Sequence, residues 1–162
     1  MKKVAFIFPG QGSQTIGMGK DFFENSEIAK EMISNASARL NVDFEKLLFE
    51  ENENLGKTEF TQPAILLVSS IANAIFKEKC NIVPEFVLGH SLGEFSALVA
   101  AGAIDYLDAI ELVHRRGLFM TEACSGGGAG MMALVGIDDY AVEKICEEQR
   151  DAGKQVWPAN YN

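Results

Sequence analysis

Gly89-His90-Ser91-Leu92-Gly93 has the spacing G-x-S-x-G. In that pattern a serine sits on a sharp, strained turn between a strand and a helix, with its hydroxyl exposed above a sheet. The flanking glycines let backbone and helix approach closely. A helix starting after Ser91 would aim its free N–H groups and positive dipole end at the hydroxyl. The N–H of Leu92 could then donate to the oxyanion of a tetrahedral intermediate. A tight turn that uses glycine and serine for geometry alone has the same letters, so context decides. Here the context is right: Glu85 to Gly89 reads as a strand, and Phe95 to Ala103 reads as a small-residue helix.

A second loop has complementary chemistry. Phe8-Pro9-Gly10-Gln11-Gly12-Ser13-Gln14 follows an apolar run, Val4 to Phe8, and would open at the same carboxyl edge of a parallel sheet. Its glycines would bring a backbone N–H close to a substrate. A phosphate-binding P-loop is a poor reading, because no Gly-Lys-Ser/Thr follows.

A serine needs a base to attack at neutral pH. The chain has only two histidines, His90 and His114. His90 is the neighbour of Ser91 on the turn, where its side chain should point away. His114 lies two residues from Arg116, on a different helix face. Both read as structural. Cys80, Cys124 and Cys146 are odd in number and lack metal-ligand spacing, so each reads as a small apolar residue in a reducing, cytoplasmic compartment, and no metal site is expected.

The elements that must position these groups follow from patterning. Val4 to Phe8 reads as a strand buried on both faces of a parallel sheet. Helical spacing runs from about Ser26 to Phe49, and Asn52 to Lys57 is a polar turn. Thr61 reads as the N-cap of a buried helix with Pro63 in its first turn. Asp105 to Ala123 is an amphipathic helix. Ser125 to Gly130 is a glycine-rich connector and the natural internal boundary. It is followed by strand Met131 to Gly136, helix Asp138 to Glu148 and strand Gln155 to Tyr161. The expected fold is α/β, with two parts. Residues 1–124 form a hydrolase-like parallel sheet with helices on both faces. Residues 125–162 form the first β-α-β part of a small ferredoxin-like subdomain. A strand reaching Asn162 without partners would expose unpaired backbone, so the sequence reads as cut there.

With 162 residues, 48% hydrophobic and 23% charged, the composition suits one folded domain rather than a disordered chain. No apolar run reaches the roughly 20 residues of a membrane span. A net charge of −9 argues against nucleic acid, whose binding needs a basic face.

Phe8 to Gln14, Thr61-Gln62-Pro63-Ala64, Gly89 to Glu94 and Arg116-Gly117, in this order, together resemble the bacterial malonyl-CoA:acyl carrier protein transacylases of type II fatty-acid synthesis. Asn160-Tyr161-Asn162 resembles that family's Asn-x-Asn stretch. The resemblance implies a ping-pong acyl transfer without a cofactor. Ser91 would attack malonyl-CoA, with the oxyanion between the N–H groups of Gln11 and Leu92. Arg116 would hold the malonyl carboxylate, aided by Gln62, Asn160 and Asn162. The thiol of acyl carrier protein would then take the acyl group. Arginine suits the role because its planar fork pairs both carboxylate oxygens. Family members run to about twice this length, and their catalytic histidine lies in a later segment. Two other readings of the motif are a serine hydrolase or thioesterase and a catalytically inactive fragment.

Overall fold

The computed structural model describes residues 3–125 and 130–161. Two strands meet in parallel, β1 (Ala5–Phe8) and β2 (Phe86–Gly89), in the register Ala5 to Phe86 through Phe8 to Gly89. The ladder continues past both ends, with Glu85 N–H donating to Val4 O and His90 N–H to Phe8 O. Between the strands in sequence come α1 (Lys20–Asn25), α2 (Glu27–Leu40), α3 (Phe44–Phe49), a 3-10 turn (Asn54–Gly56) and α4 (Thr58–Lys79). After β2 come α5 (Leu92–Ala100), α6 (Tyr106–Ala123) and α7 (Asp139–Asp151). The fold is α/β, with a small parallel sheet and helices. It divides into two compact units, Met1–Gly127 and Gly128–Asn162.

In the first unit α4 is the central element. From Thr61 to Leu67 every residue is buried, so the helix is enclosed all round. Leu66, Leu67 and Ile71 pack with Ala29 and Ile33 of α2, Phe44 and Leu48 of α3, Leu92 of α5, and Ile110 and Val113 of α6. By length and composition alone α4 would pass for a membrane span, but half of its most apolar window is buried in this core.

The structure corrects several expectations. The strands are not buried on both faces. Phe6, Phe8 and Val87 pack on Ala97 and Ala100 of α5, whereas Ile7, Phe86 and Leu88 are 73%, 64% and 47% exposed. Side chains therefore alternate across the sheet, one face covered and the other open among the described residues. The expected helix from Ser26 to Phe49 is two helices, because Asn41 adopts a left-handed conformation (φ 53°) and ends α2, and Asp43 caps α3. Thr61 is not an N-cap. The helix starts at Thr58, and the Thr61 hydroxyl donates back to the carbonyls of Leu55 and Lys57. Pro63 is therefore interior rather than in the first turn. The elbow helix begins at Leu92, directly after Ser91 as the elbow requires, and ends at Ala100, so it starts and stops three residues before the segment read as helix from Phe95 to Ala103.

The second unit contains α7, capped by Asp138, whose carboxylate accepts from the Tyr140 N–H. The segments read as strands at 131–136 and 155–161 form no ladder among the described residues. Strand-like composition specifies an extended backbone, but a strand exists only where another segment pairs with it. Most of the connector, residues 126–129, lies outside the described residues.

Candidate active site

Ser91 has φ 51° and ψ −102°, a conformation that costs an ordinary residue about 1–3 kcal/mol. Its surroundings over-determine it. A Cβ on Gly89 would overlap the Gly93 carbonyl, and one on Gly93 would overlap the carbonyl oxygen of Phe8. A Cβ on Gly10 would stand 2.5 Å from the carbonyl oxygen of His90. The first loop and the elbow are thus pressed together, backbone on backbone. Gly93 N–H donates to His90 O at 2.8 Å and Glu94 N–H to Ser91 O at 3.2 Å, closing the first turn of α5. Leu92, the first residue of α5, has an N–H with no acceptor inside the helix. Ser91 itself is exposed.

Arg116 projects from α6 to this hydroxyl. Its Nη2 donates to Ser91 Oγ at 3.2 Å, and its Nη1 donates to Gln62 Oε1 at 2.6 Å. Gln62 is fully buried in α4, and its Nε2 donates to Met120 Sδ at 3.2 Å, which fixes which way the amide faces. The guanidinium carbon also lies 5.7 Å from the centre of the Phe95 ring. Beside Arg116 runs an apolar groove of about 490 Å³, lined by Phe95, Phe119 and Met120 among others. A charge at such a wall is less screened than one in open water, which strengthens its attraction for an anion.

The site residues expected from sequence fall into groups. Ser91, Arg116 and Gln62 are brought together. Gln11 lies on the loop that touches the elbow, and its Nε2 donates to Thr58 Oγ1 at 3.2 Å. Asn160 is exposed in the second unit, beside Tyr161, whose hydroxyl donates to Glu143 Oε1 at 2.6 Å. Asn162 lies outside the described residues. His90 and His114 make no hydrogen bond to Ser91, and His114 is engaged with Glu59 O at 2.7 Å. Arginine is a donor only, so Arg116 cannot take the serine proton. Among the described residues no acceptor receives it, and no His, Cys, Asp and Glu cluster could hold a metal.

Phe95 and Met120 were missed by sequence reasoning. Met120 is four residues after Arg116, on the same helix face, and that spacing was a usable signal. Phe95 carried no such signal, because its residue type does not say that it will face a cation.

The site is thus a strained serine at a strand–helix elbow, with an arginine held by a buried glutamine against its hydroxyl. Residues 5–162 match the acyl transferase domain model, and the chain belongs to that family. It is 44% identical, over its whole length, to the malonyl CoA-acyl carrier protein transacylase of Bacillus subtilis strain 168. Its fold is similar to the malonyl-CoA:acyl carrier protein transacylase of Helicobacter pylori, with a TM-score of 0.88 and 47% identity over 91% of this chain. It is also similar to a malonyl-transacylase solved with its type II PKS acyl-carrier protein, with a TM-score of 0.81 and 37% identity over 91% of this chain. This chain spans 51% of the Bacillus protein, and the structural matches cover 48% of each solved chain.

Proposed function

We propose that this chain carries the nucleophile and the carboxylate-reading half of a malonyl-CoA:acyl carrier protein transacylase. The observation that carries the reading is Arg116 held by Gln62 with its second nitrogen on Ser91 Oγ. An esterase acting on neutral acyl groups has no use for a guanidinium there. Both the Bacillus and the Helicobacter relatives bear the transacylase name.

In the proposed reaction Ser91 Oγ attacks the thioester carbon of malonyl-CoA. The oxyanion collects the N–H groups of Leu92 and Gln11. Collapse forms the malonyl-serine ester and expels coenzyme A as its thiol, which takes the proton lost by Ser91. That proton travels through a base that the described residues do not include. The phosphopantetheine thiol of acyl carrier protein then attacks the ester, restoring the Ser91 hydroxyl. Arg116 pairs with the free malonyl carboxylate throughout, while Gln62 keeps the guanidinium turned towards Ser91. The family resemblance adds Asn160 and Asn162 as substrate-binding residues. No cofactor takes part.

We assign residues 1–124 to the N-terminal part of a hydrolase-like subdomain; the resemblance implies a sheet with helices on both faces, of which the described residues cover one. Residues 125–162 form the start of a ferredoxin-like subdomain, in which 131–136 and 155–161 would be strands. A cytoplasmic location fits three cysteines without disulfide spacing.

The test is an intact mass spectrum of the full-length protein before and after brief exposure to malonyl-CoA. One malonyl adduct that vanishes in Ser91→Ala supports the reading. An adduct that survives the substitution contradicts it.

A further inference from the structure

One residue of α4 meets α6 at several points. Pro63 has no N–H, so the carbonyl of Glu59, four residues earlier, has no i→i−4 helical donor. The oxygen is not left unpaired. His114 Nδ1 stands 2.7 Å from it. A carbonyl only accepts, so Nδ1 carries the proton and the ring is the donor. Two further contacts from α6 meet the same residue. A Cβ on Gly117 would lie 2.5 Å from Glu59 Cα, and Thr121 Oγ1 donates to Glu59 Oε2 at 3.2 Å. His114, Gly117 and Thr121 fall at i, i+3 and i+7, one face of α6, and all three seat on Glu59.

We infer that His114 is a positioning residue for Arg116, donating to the carbonyl that Pro63 leaves free and so fixing the register of α6 on α4. This rests on the transfer reading above and adds to it how the carboxylate-binding arginine is placed. The geometry makes the need plain. Arg116 reaches Gln62, also on α4, at 2.6 Å, while an α-helix rises about 1.5 Å per residue. A slip of even one residue between the helices would break that bond. His114 points to a different face from Arg116, so it acts through the helix and not by touching substrate.

The experiment compares kcat/KM for malonyl-CoA and acetyl-CoA in the full-length protein. Acetyl-CoA has no free carboxylate, so the ratio reports the arginine alone. Arg116→Ala sets the floor. His114→Leu should lower the ratio by about 3- to 10-fold, the worth of one ordinary hydrogen bond. His114→Asn puts an amide nitrogen where Nδ1 stands and should recover most of it. A His114→Leu protein that loses both activities equally, or neither, overturns the inference. So does a wild-type imidazole that NMR finds protonated at Nε2 alone, a measurement that needs no folded variant. A wild-type protein with no malonyl preference overturns the transfer reading and this inference with it. A preference lost in Arg116→Ala but kept in His114→Leu overturns this inference alone.

Discussion

At the scale of single residues the site is a set of enforced positions. Ser91 keeps a conformation that its own chemistry disfavours because Gly89, Gly93 and Gly10 leave no room for an alternative. Gly93→Ala should therefore destabilise the protein by several kcal/mol, because the added methyl meets the backbone of Phe8, which cannot move without tearing β1 from β2. A denaturant melt would check this, and an unchanged midpoint would count against it. Arg116→Lys keeps the charge but not the fork, and an ammonium cannot hold Gln62 and a carboxylate in one plane. It should cost malonyl transfer at least 10-fold, mostly in KM, while acetyl transfer changes little. Ser91, Arg116 and Gln62 were readable from sequence because a motif or a family resemblance marks each. The Phe95 and Met120 contacts were not, since apolar residues on a helix carry no mark of which one will face a cation.

At the scale of elements the pattern of success has a physical cause. Asp105 was legible as the start of α6, and its carboxylate does accept from the Leu107 N–H at 2.8 Å. Asp105→Ala should cost about 1 kcal/mol of stability, measurable by thermal or chemical melting. The start of α4 was not legible. Its cap, Lys57, has no side-chain bond, and Thr61 resembles a cap while bonding backwards from inside the helix. Acid should weaken two of the joints. The Lys46 N–H holds the Asp43 carboxyl below its ordinary 3.8, and the Arg39 guanidinium holds Glu111 below its ordinary 4.5. A carboxyl lowered in the fold contributes stability above its unfolded value and loses it as pH falls through the folded one. Stability should therefore decline below about pH 4.5, and Asp43→Asn should make that decline shallower by lowering the plateau near pH 7 towards the acid value.

At the scale of the whole molecule, exposed surface matters most. Ile7, Phe86 and Leu88 line an open sheet face, and Met131, Met132 and Val135 of the second unit are also exposed. Exposed apolar area of this kind binds other apolar surfaces. The 162-residue polypeptide alone should bind a hydrophobic dye strongly, and Ile7→Thr with Leu88→Thr should reduce the signal without changing helix content. Sequence patterning found the two strands of a parallel sheet and the buried helix α4 but overstated the sheet's burial, since a short apolar run does not say whether both its faces will be covered.

The central claim is that Ser91 receives a malonyl group and passes it to a thiol. The most direct test loads the full-length protein with malonyl-CoA, removes free coenzyme A, adds carrier protein bearing its phosphopantetheine arm, and follows both masses with time. The malonyl mass should map to Ser91, persist in water alone, then leave the enzyme as it appears on the carrier. Release as free malonate while the carrier stays unmodified would make this a hydrolase and contradict the account.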